Sequence, residues 1–470
     1  MPDDARHENA PEHARTEHAR PDEPRLPARL IHREGPAGLL ASYHTSQRNV
    51  LELIPAEAFR DRAVAGTSPA RFLMVTDPEA IRRILQTRVE DYPKSDIARS
   101  MLRPVIGDSM LVAEGAEWRR QRRAAAPAFQ PRHLAALGPL MSEAAERASA
   151  RVAAAEGRAA DMLAEMVAAT FEVISDVTFS GEAGVGRETV ERALLAYGEA
   201  AGRLSFLDVL GAPAWVPRPA RMRPDPALED LKRRADARIA ERRVRPREGA
   251  PDLLDLLVRA EGPGAGDFSG TDVRDNLLAF IVAGHETTAL TLAWALYLLG
   301  FDEAAQERAR EEARDVLGDR AAGAEDVGRL PFLRAVIDET LRLYPPAAFL
   351  SRQAQEVDEL AGYRVLPGDT VSVPIYAVHR HHALWERPDA FVPRRFEGGP
   401  PVGRYAYLPF GDGPRVCIGA RFAVQEAMVI LATLLARFRF RAVPGKVPVP
   451  TLVITLRPEG GVWLEVERIS

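Results

Sequence analysis

The feature that most constrains the fold of this chain is the long apolar segment at residues 277–300. A helix of this length could cross a lipid bilayer. However, His285 and Glu286 lie at its centre, where charge is costly in lipid. A helix that is apolar on all sides can instead be buried in the core of a large protein. The segment therefore predicts a buried central helix, kinked at its polar middle, and no transmembrane anchor.

The charge balance and the first residues limit the class of protein. The chain has 470 residues, with 62 Lys and Arg against 67 Asp and Glu, so its net charge is −5. Such a balance does not favour a nucleic-acid partner or an anionic membrane. Residues 1–25 lack the apolar core of a signal peptide and predict a disordered charged tail. We expect a cytoplasmic protein with one large domain at residues 26–470.

The rest of the chain reads mostly as helix, with little sheet. There is no regular alternation of strands and helices and no repeat of 20–50 residues, so we expect a mainly α fold with small β-sheets. Two stretches near the C-terminal end predict β-hairpins, one of them with its turn at Pro367-Gly368-Asp369. A basic helix is predicted at 117–129 and a further helix at 420–437.

The only cysteine, Cys417, lies in the glycine-rich stretch FGDGPRVCIG. Glycines allow a tight turn and a close approach to a flat ligand. Arg415 and the start of the following helix favour a thiolate, which can be a nucleophile or a metal ligand. A nucleophile needs a neighbouring base, which no sequence feature supplies. A buried, inert cysteine is the alternative interpretation.

The spacing Phe410-x-x-Gly413-x-Arg415-x-Cys417-x-Gly419 resembles the haem-binding signature of the cytochrome P450 family of haem-thiolate monooxygenases. The resemblance implies that Cys417 binds the iron of haem b and that Phe410 covers the sulfur. It implies that Gly419 and Arg415 also belong to the cofactor site. It further implies one cytochrome P450-type domain, with the haem between the long central helix and the cysteine loop.

The sequence AGHETT in the central helix resembles the oxygen-activation motif of the same family. Phe280, Gly284 and Thr287 share one helical face by their spacing. Small residues at Ala283 and Gly284 would leave room above a haem. Thr287 and Glu286 would place a hydroxyl and a carboxylate beside that gap, as a catalytic proton relay for O2 activation. The alternative is that threonine and glycine only bend a core helix.

Two further resemblances concern buried charges. Glu339-x-x-Arg342, completed by Arg395 in the sequence PRRF, resembles the Glu/Arg group of the family, which has a structural role. Trp118-x-x-x-Arg122 resembles its haem-propionate motif. Arg352, which follows a double proline, matches another propionate-binding position. With Arg415, these residues imply three cations for two propionates.

The resemblance implies a soluble, bacterial-type monooxygenase. It would insert one atom of O2 into a hydrophobic small molecule. One cysteine cannot hold an iron–sulfur cluster, so electrons would come from a separate ferredoxin or flavodoxin and its reductase, and we expect a monomer. The implied substrate pocket comprises Phe280, Ala283, Ala348, Phe349, Leu452 and Val453. The alternatives are oxidative coupling or desaturation at the same haem, a non-catalytic haem-thiolate sensor, and a cysteine-nucleophile enzyme without haem.

Overall fold

The structure is a computed structural model. It describes residues 26–35, 37–67, 71–179, 186–200, 204–210, 212, 216–218, 225–246, 248, 251–261, 268 and 270–469. The predicted tail at residues 1–25 lies outside this part of the chain.

Helices make up most of the described chain, and the sheets are small, as predicted. The α-helices are α1 (Leu39–Arg48), α2 (Pro78–Arg82), α3 (Asp96–Ile106), α4 (Gly115–Ala125), α5 (Pro131–Ala153), α6 (Met162–Phe179), α7 (Arg187–Ala200), α8 (Phe206–Val209), α9 (Pro226–Val244), α10 (Leu253–Arg259), α11 (Gly270–Phe301), α12 (Glu303–Leu317), α13 (Pro331–Leu343), α14 (Ile375–Val378) and α15 (Ala420–Arg437). Short 3-10 turns join several of them.

The strands are β1 (Ala63–Gly66), β2 (Phe72–Val75), β3 (Ala159–Asp161), β4 (Leu350–Gln353), β5 (Asp358–Leu360), β6 (Tyr363–Val365), β7 (Thr370–Val373), β8 (Phe438–Ala442), β9 (Val449–Leu452), β10 (Leu456–Glu459) and β11 (Trp463–Arg468). They form a four-stranded sheet in the order β1-β2-β7-β4, a three-stranded sheet in the order β3-β11-β8, and the pairs β9-β10 and β5-β6.

The hairpin predicted around the Pro367-Gly368-Asp369 turn is wrong. Strand β6 pairs with β5, whereas β7 pairs with β4 and, in parallel, with β2. The turn itself is present, because Gly368 has a φ of 91° and the Asp369 carboxylate accepts a hydrogen bond from the Leu366 N–H at 2.9 Å. The chain therefore reverses direction as expected, but the strand that leaves the turn joins a different sheet.

The central helix α11 is buried in the core. It has 32 residues and packs against α6, α13 and α15. It is long and apolar enough to cross a membrane, but 72% of its apolar stretch is buried inside the protein. The Trp294 ring stacks on Tyr344 with ring centres 3.8 Å apart. The helix is thus part of the folded core, in agreement with the prediction of a buried central helix.

A fully buried ion pair joins α13 to the segment before the cysteine loop. Arg342 donates from Nε to Glu339 at 2.6 Å, and Arg395 donates to the same carboxylate at 3.2 Å. The Val392 N–H also donates to Glu339, at 2.8 Å. Arg342 also donates from Nη2 to Glu339 at 2.9 Å, and its other N–H groups donate to three carbonyl oxygens, among them that of His379. The structure therefore brings the three predicted residues together with their hydrogen-bonding capacity met.

His379, which the sequence did not single out, extends this group towards the cysteine loop. Its Nε2 accepts a hydrogen bond from the Leu408 N–H at 2.7 Å, and its Nδ1 lies 3.3 Å from the Arg342 carbonyl oxygen. Burial, and next the nearby Arg342 charge, lower the pKa of His379 to about 3. The ring is therefore neutral, with Nδ1 donating and Nε2 accepting, and it connects α13 with the backbone just before Phe410.

Candidate functional site

The loop that carries Cys417 is held in a tight turn before α15. The Cys417 N–H donates to the Phe410 carbonyl oxygen at 2.9 Å, and the Val416 N–H donates to that of Gly413 at 3.1 Å. Gly413 has a φ of 72°, and a Cβ there would lie 2.0 Å from the Leu85 carbonyl oxygen. Only glycine fits this position, which explains one fixed residue of the loop by close approach of the backbone.

The Cys417 side chain faces a cavity of about 390 Å³ inside the protein. Its surface is accessible from this cavity, although protein surrounds the sulfur. Burial raises the pKa of the Cys417 thiol, and the Gly419 N–H and the Arg122 charge offset this only in part. The cation that acts on the sulfur is therefore Arg122, whereas the sequence analysis had suggested Arg415. A bound metal cation would restore the thiolate.

Helix α11 and the cysteine loop line the same cavity. From α11 the lining includes Phe280, Ala283, Gly284 and Thr287, and from the loop it includes Phe410, Cys417 and Gly419. Thr287 donates from Oγ1 to the Ala283 carbonyl oxygen at 2.8 Å. A Cβ at Gly284 would lie 3.1 Å from Ile174 of α6, so this glycine also allows close packing of α6 on α11.

Positive side chains gather along another part of the cavity wall. Trp118, Arg122, Arg352 and Arg415 all line it, as predicted from the spacing of their motifs, and so does Lys94. The Arg415 guanidinium lies 4.4 Å from the centre of the Trp118 ring. The same guanidinium donates a hydrogen bond to the Glu114 carboxylate.

These cations are short of anionic partners. Arg352 is buried, and its Nε has no hydrogen-bond partner among the described residues. Burial, and next the Arg415 charge, lower the pKa of Arg352 to about 10. The same two causes lower the pKa of Lys94 to about 7. Buried positive charge that lacks a counter-ion fits a ligand with carboxylates at this end of the cavity.

The comparisons with known proteins agree with this arrangement. The family model for cytochrome P450 matches residues 66–464. The chain belongs to the cytochrome P450 family. Members of this family contain haem, and they generally use O2 and separate redox partners. The protein is therefore a cytochrome P450 monooxygenase, an oxidoreductase.

Individual P450 relatives match over most of their length. Cyclooctatin synthase of Streptomyces melanosporofaciens is 32% identical, over 91% of this chain and 94% of its own. Carotene epsilon-monooxygenase of Arabidopsis thaliana is 31% identical, over 87% of this chain and 79% of its own. The crystal structure of a cytochrome P450, CYP102L1, has a TM-score of 0.79 and 26% identity, and it covers 94% of this chain and 100% of that one.

In this P450 the carboxylate of Glu286 does not lie beside the cavity, which corrects the position expected from the sequence. Its Oε1 accepts hydrogen bonds from the Thr455 hydroxyl, at 3.0 Å, and from the Arg457 guanidinium. Thr287, one residue later, does line the cavity. Successive helical residues point about 100° apart, so the two side chains of this motif face different surroundings.

Of the six residues expected to form the substrate pocket, the structure places two on the cavity wall and four away from it. Phe280 and Ala283 line the cavity, as stated above. Ala348, Phe349, Leu452 and Val453 are not part of its lining. Ala348 and Leu452 are instead buried in the core, and the neighbours Ala347 and Leu350 line the cavity in their place. Within residues 347–350, the course of the backbone decides which side chains face the cavity, and sequence periodicity alone does not predict it.

Several lining residues were missed by the sequence analysis. The ring of Phe129 meets that of Phe280 edge to face, with the ring centres 5.1 Å apart. Lys94 lies opposite Arg352 in an isolated β-bridge. Further apolar residues complete the wall; they are Met110, Leu111, Ile174, Val177 and Leu256. They come from distant parts of the chain, and no local pattern marks them as neighbours.

Proposed function

We propose that this P450 activates O2 at a haem b bound through Cys417 and hydroxylates or otherwise oxidises a hydrophobic small molecule. The observation that supports this most directly is that Cys417 and Thr287 line one largely apolar cavity. Thiolate ligation favours cleavage of the O–O bond. Oxidative coupling and desaturation use the same residues and are variants of this proposal.

The residues of the cavity fit the cofactor. Cys417 would bind the iron, and Lys94, Arg352 and Arg415 would pair with the propionates, with Arg122 and Trp118 beside them. When bound, haem supplies the redox chemistry that reduces O2 and oxidises the substrate. No group of three or more His, Cys, Asp or Glu side chains in the described part of the chain is placed to hold a metal ion.

Thr287 is the residue that we assign to proton delivery on the α11 side. Its hydroxyl now donates to the Ala283 carbonyl oxygen, and rotation about χ1 would turn it towards the cavity. A hydroxyl can accept one proton while it gives up another, so it can pass protons without changing its charge. Glu286 could assist only after its contact with Arg457 is broken, because that contact directs the carboxylate away from the cavity.

The cavity wall supports an apolar substrate. Phe129, Phe280, Leu350 and Leu256 present hydrocarbon surface, and transfer of apolar surface from water is the main source of affinity at such a wall. One relative is named for a carotene, which is a hydrocarbon, and this name supports the same substrate class.

Electrons would come from a separate ferredoxin or flavodoxin with its reductase. Within the basic helix α4, Arg119 pairs with Glu90, and Arg120 pairs with Glu117 and Asp272. Arg123 is exposed and is the charge of this helix that we assign to contact with an acidic partner. We also propose a soluble, cytoplasmic monomer with one domain at residues 26–470.

The test is the difference spectrum of the reduced protein with and without carbon monoxide. We expect the strongly red-shifted Soret band of a thiolate ligand, and we expect the Cys417→Ala variant to lose it. A normal thiolate band in that variant would refute the ligand assignment. Purified protein that binds no haem at all would favour the cysteine-nucleophile alternative.

A separate measurement distinguishes a monooxygenase from a haem-thiolate sensor. Thr287→Ala should keep the haem but divert reducing equivalents to peroxide, which lowers the ratio of product to NAD(P)H consumed. The Thr291→Ala variant is the matched control, because the Thr291 hydroxyl donates to the Thr287 carbonyl oxygen one turn further along the helix. Equal coupling in both variants would count against the role of Thr287.

A further inference from the structure

The cavity has a side branch that the mechanism above does not use. Three helices each place two side chains, one helical turn apart, on this part of its wall. They are Leu134 and Leu137 of α5, Ile174 and Val177 of α6, and Leu253 and Leu256 of α10. Helix α6 packs against both α5 and α10. We call the space between these three helices the side lobe, and its wall is hydrocarbon.

The side lobe extends from the protein surface to the central helix. Ala136 of α5 is exposed and Pro251, just before α10, is half-buried, and both line the cavity. At the inner end, Ile174 lies against α11, because a Cβ at Gly284 would be 3.1 Å from it. Gly284 and Thr287 lie one turn apart on α11, and both line the cavity. The lobe therefore connects the surface with the part of the cavity beside Thr287.

An aromatic pair borders the inner end of the side lobe. The rings of Phe129 and Phe280 meet edge to face, as described above, and both line the cavity. Phe129 also lies against the cysteine loop, because a Cβ at Gly419 would be 3.9 Å from its ring. The two rings close the lobe on the side of the cysteine loop, so a molecule in the lobe would pass beside Gly284.

The side lobe is walled by core helices, which limits the size of its occupant. Its four most buried wall residues are at most 6% exposed and belong to the main hydrophobic core; they are Leu134, Ile174, Val177 and Leu253. Close packing resists separation of such helices. Leu111 also lines the cavity, but it lies in the segment between α3 and α4 and is 40% exposed. A bulky substrate has this second, loop-walled side, whereas the lobe suits a small molecule.

Polar groups at the side lobe offer little to a water molecule. Asp252 lines the cavity, but both of its carboxylate oxygens accept hydrogen bonds from Arg242 at 2.8 Å. One of them also accepts the Asp255 N–H at 2.8 Å. His133 lines the cavity too, and it lies at the outer end, one turn before Ala136. Apolar cavities stay dry and bind apolar guests such as xenon, so the inner part of the lobe fits an apolar gas.

We propose that the side lobe takes up O2 and delivers it past Gly284 to the part of the cavity beside Thr287, separately from the substrate. O2 is small, uncharged and apolar, so its transfer from water into a hydrocarbon-lined space is favourable. The substrate can then occupy the loop-walled part of the cavity without blocking O2. This inference rests on the proposed monooxygenase function. It concerns binding and passage alone, so no bond or electron changes in this step.

The first test locates the gas site and does not depend on turnover. Crystals of the holoprotein under xenon pressure should show a xenon atom in the lobe, between Leu137, Val177 and Leu256, by anomalous scattering. In Leu256→Trp the indole ring should fill this position and the xenon peak should disappear. A wild-type lobe that holds a chain of ordered waters, or that holds no xenon, would overturn the assignment to an apolar gas.

The second test measures passage with carbon monoxide as the probe for O2. After flash photolysis of the reduced holoprotein, Leu137→Trp and Leu256→Trp should rebind carbon monoxide from solution several-fold more slowly than wild type. Leu140→Trp is the matched control, because Leu140 is half-buried on the same helix and packs on the same core but does not line the cavity. Wild-type rates in both lobe variants, or equal slowing in the control, would refute passage through the lobe.

A larger ligand separates a gas passage from a general entrance. Phenylimidazole, which binds ferric haem iron, should associate at the wild-type rate in both lobe variants. If it is slowed as much as carbon monoxide, the lobe admits bulky molecules and the assignment to O2 is wrong. Wild-type protein without a thiolate spectrum would instead contradict the haem-thiolate function, and the xenon position would still report on the lobe. If one tryptophan variant does not retain haem, the other tests the same passage from a different helix.

Discussion

Two buried groups of charged side chains differ in how completely they are paired. Around Glu339, the carboxylate, Arg342 and Arg395 meet one another and the surrounding carbonyl groups. Along the cavity, Lys94 and Arg352 have lowered pKa values and too few anions. Buried charge costs free energy unless it is paired. The first group therefore stabilises the fold by itself, whereas the second is completed by a ligand.

The largest effect should follow from breaking the completed group. Arg342→Ala leaves the buried Glu339 carboxylate with only the longer ion pair to Arg395 at 3.2 Å, and breaking a buried ion pair costs about 3–5 kcal/mol. We expect unfolding at much lower denaturant concentration and little holoprotein. The matched control is Arg334→Ala on the same helix, because Arg334 is half exposed and pairs with Asp338, and such a pair contributes about 0–1 kcal/mol. A stable Arg342→Ala holoprotein would contradict the structural role.

A smaller effect should follow from changing His379, which joins the completed group to the cysteine loop. In His379→Gln the Leu408 N–H loses its acceptor or holds it poorly, and an unsatisfied buried group costs about 1–3 kcal/mol. Denaturant unfolding of both proteins at pH 7 measures the difference. The carbon monoxide spectrum should also show more of the form that lacks a thiolate ligand.

His379 also predicts a dependence of stability on pH. Folding lowers its pKa from 6.5 to about 3, so between these values the unfolded chain binds the extra proton. The stabilisation is complete above pH 6.5 and is lost as the pH falls, by about 1.4 kcal/mol per pH unit at most. His379→Gln should show a weaker decline between pH 6 and 4, where all other groups contribute equally to both proteins. Parallel curves would mean that the histidine is not held neutral.

The incomplete group should respond to the ligand more than to folding. Lys94→Met should leave the free energy of unfolding of the haem-free protein unchanged or raise it slightly, because it removes a buried charge. It should speed the transfer of haem to a scavenging protein several-fold. Lys232→Met is the control, since Lys232 is partly exposed and pairs with the exposed Glu229. If both variants lose haem at the wild-type rate, Lys94 does not hold a propionate.

The two groups were not equally visible in the sequence. Cys417, Phe410 and Gly413 lie within one short loop, so their spacing along the chain predicts their arrangement. Lys94 reaches Arg352 only because two distant segments form a bridge. The fold class follows from the abundance of helical pattern, but the partner of each strand does not, as the strand after Gly368 shows. Sequence patterns predict local geometry, and the pairing of distant segments requires the fold.

The position of Glu286 could not be predicted for the same reason, because it depends on a distant partner. Removing that partner should have the smallest effect. Its partner Arg457 lies 171 positions away and is about half exposed. Arg457→Gln should therefore change the free energy of unfolding by only about 0–1 kcal/mol. It should free the carboxylate to turn towards Thr287, so the coupling of NAD(P)H use to product should change while the carbon monoxide spectrum stays the same. Arg439→Gln is the control, because Arg439 pairs with Glu307 at a similar exposure and far from the α11 motif. Equal coupling in both variants would show that Glu286 acts only as a surface partner of Arg457, and would leave Thr287 as the residue assigned to proton delivery.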